Sequence, residues 1–242
     1  MEDMLRFEAL IELVRSRRTV RGYHRDKEVP EGYIRAVLDT ARWAPSGANS
    51  QPWEFVVIRD PAMRQRIVSL FLKQCRDKDE MELAVRGGRR GSATGFKNAP
   101  VFVLVLGDPR VNEAFPVSTY LEMGQQHFIT GLASATLLIH LAAASLGLGS
   151  QWVSDSGSPY MSTILKAWLG IPQYLKVYDL LAIGYPVRQP SARPRRPLEE
   201  VVHWDRYDPR LERSPEDIKR FLCEQTPFWA RYGKSKRPRS DN

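Results

Sequence analysis

Three separated stretches carry the residue types that hold a small anionic ligand. The first is RSRRTVRGY, residues 15–23, in which Arg17, Thr19 and Arg21 alternate. Successive side chains of an extended segment point to opposite faces, so these three would share one side. Two guanidinium forks and a hydroxyl on one face suit a phosphate and its attached polyol chain, because Arg offers paired donors to phosphate oxygens. Arginines that close a helix are also favoured by its dipole and usually sit in water, so the stretch alone decides nothing. The second is ARWAPSGANSQPWEF, residues 41–55. Ser46, Gly47 and Asn49 could meet the edge of a planar ring with backbone and amide donors, and a glycine lets the backbone approach closely. Turn chemistry accounts for a loop here but not for the order of its residues. The third is RPRRPLEEVVHW, residues 193–204. Its prolines favour an extended arm that could bring Arg193 and Arg195 back to the same phosphate, although a solvated basic tail explains a bare count of arginines equally well.

Other chemistries find less support. Cys75 and Cys223, the only cysteines, show no CxxC or Cys/His spacing, so neither a disulfide framework nor a metal site is expected and a reducing cytoplasm fits. His24, His127, His140 and His203 have no ligand spacing, and His140 in an apolar helix reads as a satisfied core or interface residue. No triad with Asp155 or Ser156 is visible. GLGSQW, residues 147–152, follows a helix rather than a strand and lacks the third glycine of a dinucleotide fingerprint. The net charge is +8, and from Arg188 onward there are 14 Lys and Arg against 9 Asp and Glu. That excess invites a nucleic-acid reading. The basic residues are dispersed, however, and no helix-turn-helix, finger or ribonucleoprotein motif occurs, so a solvated basic face ranks above it.

The elements that must position these stretches come from periodicity. With 43% hydrophobic and 26% charged residues, a chain of 242 residues has an ordinary globular composition and can build one large domain or two small ones. Phe7, Leu10, Ile11 and Val14 predict an amphipathic helix over 5–16, and Ile34, Val37, Leu38 and Ala41 a second over about 31–43. EFVVI is a short strand, PVFVLVLG (100–107) another, and YDLLAIGYP (178–186) a third. Residues 62–98, charged and only weakly periodic, read as an insertion or lid. FITGLASATLLIHLAAASLGLG (128–149) is long enough to cross a bilayer, but His140, scattered Ser, Thr and Gly, and the lack of flanking cations favour a helix buried on all sides. Acidic residues in MEDMLRFEALIEL argue against a secretory signal. Ser158 and Pro159 open a helix that ends before Gly170, and Ser214, Pro215 and Asp217 open a last one. KSKRPRSDN at the end is expected to be disordered. Strands interspersed among helices without a βαβ repeat indicate an α+β domain over 1–205 with an extension over 206–242.

In this order and spacing, RRTVRGY, APSGANSQPWEFVVI, GLGSQWV and LLAIGYPVRQP with RPRRPLEEVVHW resemble the nitroreductase family of FMN enzymes over roughly residues 10–205. The resemblance implies a three-layer α/β/α sandwich with a mixed, mostly antiparallel central sheet, in an intertwined homodimer whose two FMN sites are built from both chains. It implies that Arg17, Arg18, Thr19 and Arg21 form the first FMN segment, with Arg17 facing the phosphate and Arg21 the pyrimidine edge. Pro45, Ser46, Gly47 and Asn49 then resemble the loop given by the partner subunit. Gln151, Trp152, Val153 and Ser154 match the segment beside flavin N5, and Arg193 and Arg195 the late phosphate contacts. Trp53 and Phe55 would anchor the loop by packing. Tyr120, Phe128 and Trp152 are pocket-lining candidates, core packing being the commoner role of any one.

The implied activity is transfer of electrons from NADH or NADPH to nitroaromatic or quinone-like acceptors by a ping-pong cycle, with the flavin and no protein side chain carrying the chemistry. Reductive dehalogenation or flavin-consuming chemistry is the alternative on the same scaffold. A flavin- or nucleic-acid-binding protein without turnover is the alternative of another class. Neither a nucleic acid nor a membrane is an expected partner.

Overall fold

The computed structural model describes residues 2–86 and 94–225. The disordered end expected at KSKRPRSDN lies outside the described residues, as does part of the 62–98 segment. The chain divides into two compact units, residues 1–72 with 93–190 and residues 73–92 with 191–242. After the sheet, the first of these units runs to Pro190.

The first unit holds α1 (Glu2–Ser16), α2 (Glu31–Ala41), β1 (Trp53–Ile58), the first half of α3 (Pro61–Arg86), β2 (Val101–Gly107), α4 (Val117–Ser145), β3 (Gly149–Val153), α5 (Pro159–Leu169) and β4 (Lys176–Gly184). The four strands form one sheet in the order β1-β2-β4-β3, and every pair is antiparallel. The mixed sheet expected from the resemblance is thus reduced, among the described residues, to one parallel feature, an isolated bridge between Thr19 and Ser150. All seven residues of β2 are buried. A continuous apolar run is what a strand covered on both faces requires.

Alternation then sorts the core into two layers. Val101, Val103 and Val105 join Leu181 and Ile183 in a cluster with Ile34, Val37 and Ala41 of α2 and Phe128, Leu132, Ala135 and Ile139 of α4. On the opposite face Phe102 meets Phe96 at 5.7 Å, and Phe96 meets Phe71 of α3 edge-on at 4.9 Å. Helices thus cover both faces in the α/β/α arrangement. Burying even half of these side chains outweighs local propensity, at about 1.5–3 kcal/mol for each.

Several sequence expectations change. α3 is a continuous helix whose Ile67, Val68, Leu70 and Phe71 are buried, so the first half of the 62–98 segment is core rather than insertion. α4 is not buried on all sides: Tyr120, Leu121, Ile129 and Leu137 are exposed while its other face lies on the sheet. It is the one described helix long and apolar enough to cross a membrane by length and composition. α1 forms, but none of its residues is buried, and Phe7 and Leu10 are 55% and 54% exposed. β3 escaped the periodicity because it is five residues long and follows a helix directly. Ser158 caps α5 by accepting from the Met161 N–H, and Gly170 ends it at φ +66° as a left-handed cap.

The second unit contains the last part of α3 and α6 (Pro215–Gln225), with Ser214 and Asp217 in a reciprocal capping pair at its start.

Candidate functional site

Arg17 follows α1 directly, and the chain then runs beside the edge strand β3. The Val20 N–H donates to the Ser150 carbonyl at 3.0 Å, next to the Thr19–Ser150 bridge. A Cβ on Gly149 would stand 2.6 Å from Val20, so a glycine here lets the segment lie close against β3. Val20 and Tyr23 are buried, while Thr19 is half-buried and Arg21 exposed. The Tyr23 hydroxyl donates to the Val20 and Ala182 carbonyls, and burial raises its pKa. Gln189 closes the far side by donating to the Ser16 carbonyl at 3.1 Å.

Between these pieces lies a recess of about 110 Å³, lined by Arg17, Arg18, Gly149, Ser150, Gln189 and Ala144 of α4 among others. It is too small for a nucleotide, whose sites run to about 300 Å³ or more, and close to what one phosphate and its first carbons occupy. Arg18 Nε and, in β3, Gln151 Oε1 are buried without a hydrogen-bond partner, while Arg18 Nη1 donates to the Arg15 and Arg17 carbonyls. Buried polar groups left unpaired are costly, so an N–H donor in a guanidinium-lined recess fits an anionic occupant such as the phosphate of FMN.

Below the recess the edge strand is braced by a buried polar network. His140 Nδ1 lies 2.7 Å from Ser150 Oγ, which makes His140 the satisfied core residue expected. Its pKa is pushed down to about 4 by burial and then by the charge of Arg17. Asp179, in the middle of β4, accepts from Trp152 Nε1 and, at 3.2 Å, from Ser156 Oγ. Burial pushes its pKa up to about 6 in spite of those donors. Asp179 therefore grips the chain on both sides of Val153 and Ser154. Val153 is buried, Ser154 exposed and Trp152 37% exposed.

The 45–51 loop lies elsewhere. It forms a single 3-10 turn, Gly47–Asn49, in which Ala48 and Asn49 hold φ of +50° and +53°, with Gln51 at +45° just after. Gly47 is not at positive φ. A Cβ there would stand 2.9 Å from the His127 ring of α4, so its missing side chain answers to packing within the chain. Ser46 and Pro52 rest on Gly131 of α4, and Pro45 and Asn49 are exposed. Trp53 is buried in the core cluster and Phe55 packs against it, which makes both anchors. Phe128 is also core, 3% exposed. From His127 to Ala144 is about 17 residues along one helix, or about 26 Å. One chain therefore does not bring its own Gly47 to its own Arg17 recess.

Arg193 and Arg195 belong to the second unit and are exposed, with Arg195 donating to the Arg193 and Pro194 carbonyls. Sequence reasoning missed Asp179, though a signal existed: it is the one charged residue inside the apolar run VYDLLAIG. No cluster of metal-ligating side chains occurs among the described residues.

The fold is a three-layer α+β sandwich with an arginine-lined recess against its edge strand. Residues 14–185 match the model of the nitroreductase family. The chain is 31% identical over 193 residues to an NADH dehydrogenase of Thermus thermophilus, covering 78% of this chain and 92% of that protein. It is 28% identical over 218 residues to human iodotyrosine deiodinase 1, covering 83% of this chain and 70% of the relative. Among solved structures, an FMN-dependent nitroreductase of Clostridium difficile R20291 superposes with a TM-score of 0.62 at 25% identity, covering 81% of this chain and 99% of that one. The chain belongs to the nitroreductase family and is an oxidoreductase of that family.

Proposed function

We propose that the chain binds FMN between two copies and passes electrons from NADH or NADPH to a small nitroaromatic or quinone-like acceptor. The observation that carries this reading is the Arg17–Arg18 recess, with its unpaired buried Arg18 Nε and a volume that suits only the phosphate end of such a group. Arg17 and Arg18 would hold the phosphate, and Thr19 the polyol chain. Arg21 supplies a cation for the pyrimidine side of the ring. The backbone around Val153 and Ser154 supplies a donor for flavin N5, and Asp179 positions it by gripping Trp152 and Ser156. FMN held there would supply the two-electron chemistry between a nicotinamide donor and the acceptor. Donor and acceptor use one open face in turn, so no side chain is required as a general acid.

Pro45, Ser46, Gly47 and Asn49 reach the site of the other copy. The uncovered apolar faces of α1 and α4, including Leu5, Phe7, Leu10, Leu121 and Leu137, support a homodimer, since contiguous exposed apolar surface marks an interface. Two cysteines without framework spacing suit the cytoplasm. The likeness to iodotyrosine deiodinase favours reductive dehalogenation as a second reading of the same site.

The test is to purify the chain, record its visible spectrum and add NADH or NADPH under argon. A yellow protein that bleaches, and recovers its colour with a nitroaromatic or quinone, is the expected result. Recovery with a halophenol alone favours the second reading. A colourless protein that takes up no FMN rejects both.

A further inference from the structure

A second recess, of about 500 Å³, opens in the first unit between α3, the 3-10 turn Thr94–Asn98 and the segment that follows Tyr23. Arg25, Arg64 and Lys97 line it, with the amides of Gln65 and Asn98 between them and Val68 in its apolar wall. It shares no lining residue with the Arg17 recess.

Among the described residues none of these three cations is in an ion pair. Some other cations of the chain do meet a carboxylate: Arg6, Arg35, Arg42 and Lys73 each pair with one a turn away. Three positive charges around one cavity repel each other, offset in part at Arg64 by the Asp60 carboxylate, and the remaining cost falls when an anion enters. Arg64 is fixed for that role. Its Nη1 donates to the Ala99 carbonyl at 2.7 Å and its Nε to the Arg59 carbonyl at 3.3 Å, so the guanidinium is oriented before any ligand arrives. Burial lowers its pKa, which marks a charge partly stripped of water. The neighbouring carboxylate, Asp60, is engaged by the Met63 N–H at 2.6 Å at the start of α3.

We propose that this recess binds the phosphoryl group of a small molecule. Three cations exceed the charge of one carboxylate and match a phosphate dianion, and guanidinium forks fit phosphate oxygens in pairs. The volume leaves room for a body of about nucleoside size against the Val68 wall. The proposal does not depend on the flavin reading. The phosphoryl group has two possible sources, a free phosphoester or the 2′-phosphate of NADPH.

The experiment titrates inorganic phosphate, 5′-AMP and 2′,5′-ADP into the purified full-length chain by calorimetry at low salt. Wild type is compared with the Arg25→Ala/Lys97→Ala double variant and with Arg17→Ala. Arg25 and Lys97 are exposed, so the double variant keeps its fold, checked by its melting curve. The expected result is saturable binding that weakens roughly 30-fold or more in the double variant, weakens with salt and survives Arg17→Ala. Preference for 2′,5′-ADP over the other probes assigns the site to the dinucleotide, and comparable binding of inorganic phosphate or 5′-AMP assigns it to free phosphoesters. No saturable binding of any probe, or binding lost in Arg17→Ala and unchanged in the double variant, overturns the proposal.

Discussion

The two ends of α4 present opposite kinds of surface. Near its C-terminal end the Arg17–Val20 segment is stitched to β3, and the result is concave, polar and partly buried. Near its N-terminal half the Pro45–Gln51 loop stands outward, exposed, and holds three non-glycine residues at positive φ. Such backbone costs of order 1 kcal/mol or more at each position and persists only where something else fixes it. A small polar recess and a strained loop set apart on one helix are what a site divided between two copies would require, and the proposed function reads them as its two halves.

The largest effect tests that division directly. Arg17→Ala removes the proposed phosphate contact from the concave half, and Gly47→Leu forces the loop off His127. Each homodimer should lose nearly all bound flavin. Unfolding and refolding the two variants together makes mixed dimers, in which one site carries both defects and the other carries neither. About a quarter of wild-type flavin and activity should return, given random pairing of a symmetric dimer. If both halves of a site came from one chain, mixing would restore nothing, and that result would sink the shared-site reading.

The second contrast is electrostatic. Among the buried titratable groups of the concave end, Asp179 and His140 shift in opposite directions. Asp179 is raised from 3.8 to about 6, so its contribution to stability is full below the lower value and is lost as pH rises through the higher one. His140 is lowered from 6.5 to about 4, so its contribution is full above 6.5 and is lost as pH falls to about 4. Each arm amounts to about 3 kcal/mol, and over that window they oppose each other. Asp179→Asn removes one arm. Urea titrations between these limits should show the variant losing about 3 kcal/mol more than wild type on acidification, while Gly47→Leu follows the wild-type profile. Parallel profiles for Asp179→Asn and wild type would remove these two groups from the account.

The same contrast explains what could be read from sequence. The loop end was legible as a loop because Pro45, Gly47, Asn49 and Pro52 cannot belong to a helix or strand interior. Its strain was not, since Ala48 and Gln51 carry no local mark of positive φ. At the concave end the arginines were legible by type and their alternation by spacing. Their partner β3 was not, because an edge strand of five residues has too few positions for a period to emerge. The helices with a face on the sheet showed their spacing, as Ile34, Val37 and Ala41 do in α2. α1 has the same spacing and no buried residue, so periodicity by itself does not say that a face is covered within the chain. Asp179 shows a related limit: one carboxylate in an apolar run signals a purpose, but its partners Trp152 and Ser156 lie about 25 residues away in sequence and meet it only through strand pairing.

The smallest effect sharpens the loop half. Within the loop, Ser46 Oγ accepts from the Gln51 N–H at 3.0 Å and spans the strained turn. Ser46→Ala deletes that brace without touching the core, so the loop spends more time in conformations its partner cannot use. A neutral hydrogen bond of this kind is worth about 1 kcal/mol, which predicts FMN affinity roughly fivefold weaker by fluorescence titration. The flavin-free protein should melt within about 4 °C of wild type, because the loop carries little of the buried surface that sets global stability. If affinity is unchanged, the loop is not held in a binding conformation by its own brace. Its positive-φ residues would then be fixed by the Gly47–His127 contact alone, and the convex half would be a consequence of packing on α4 rather than a preformed part of the site.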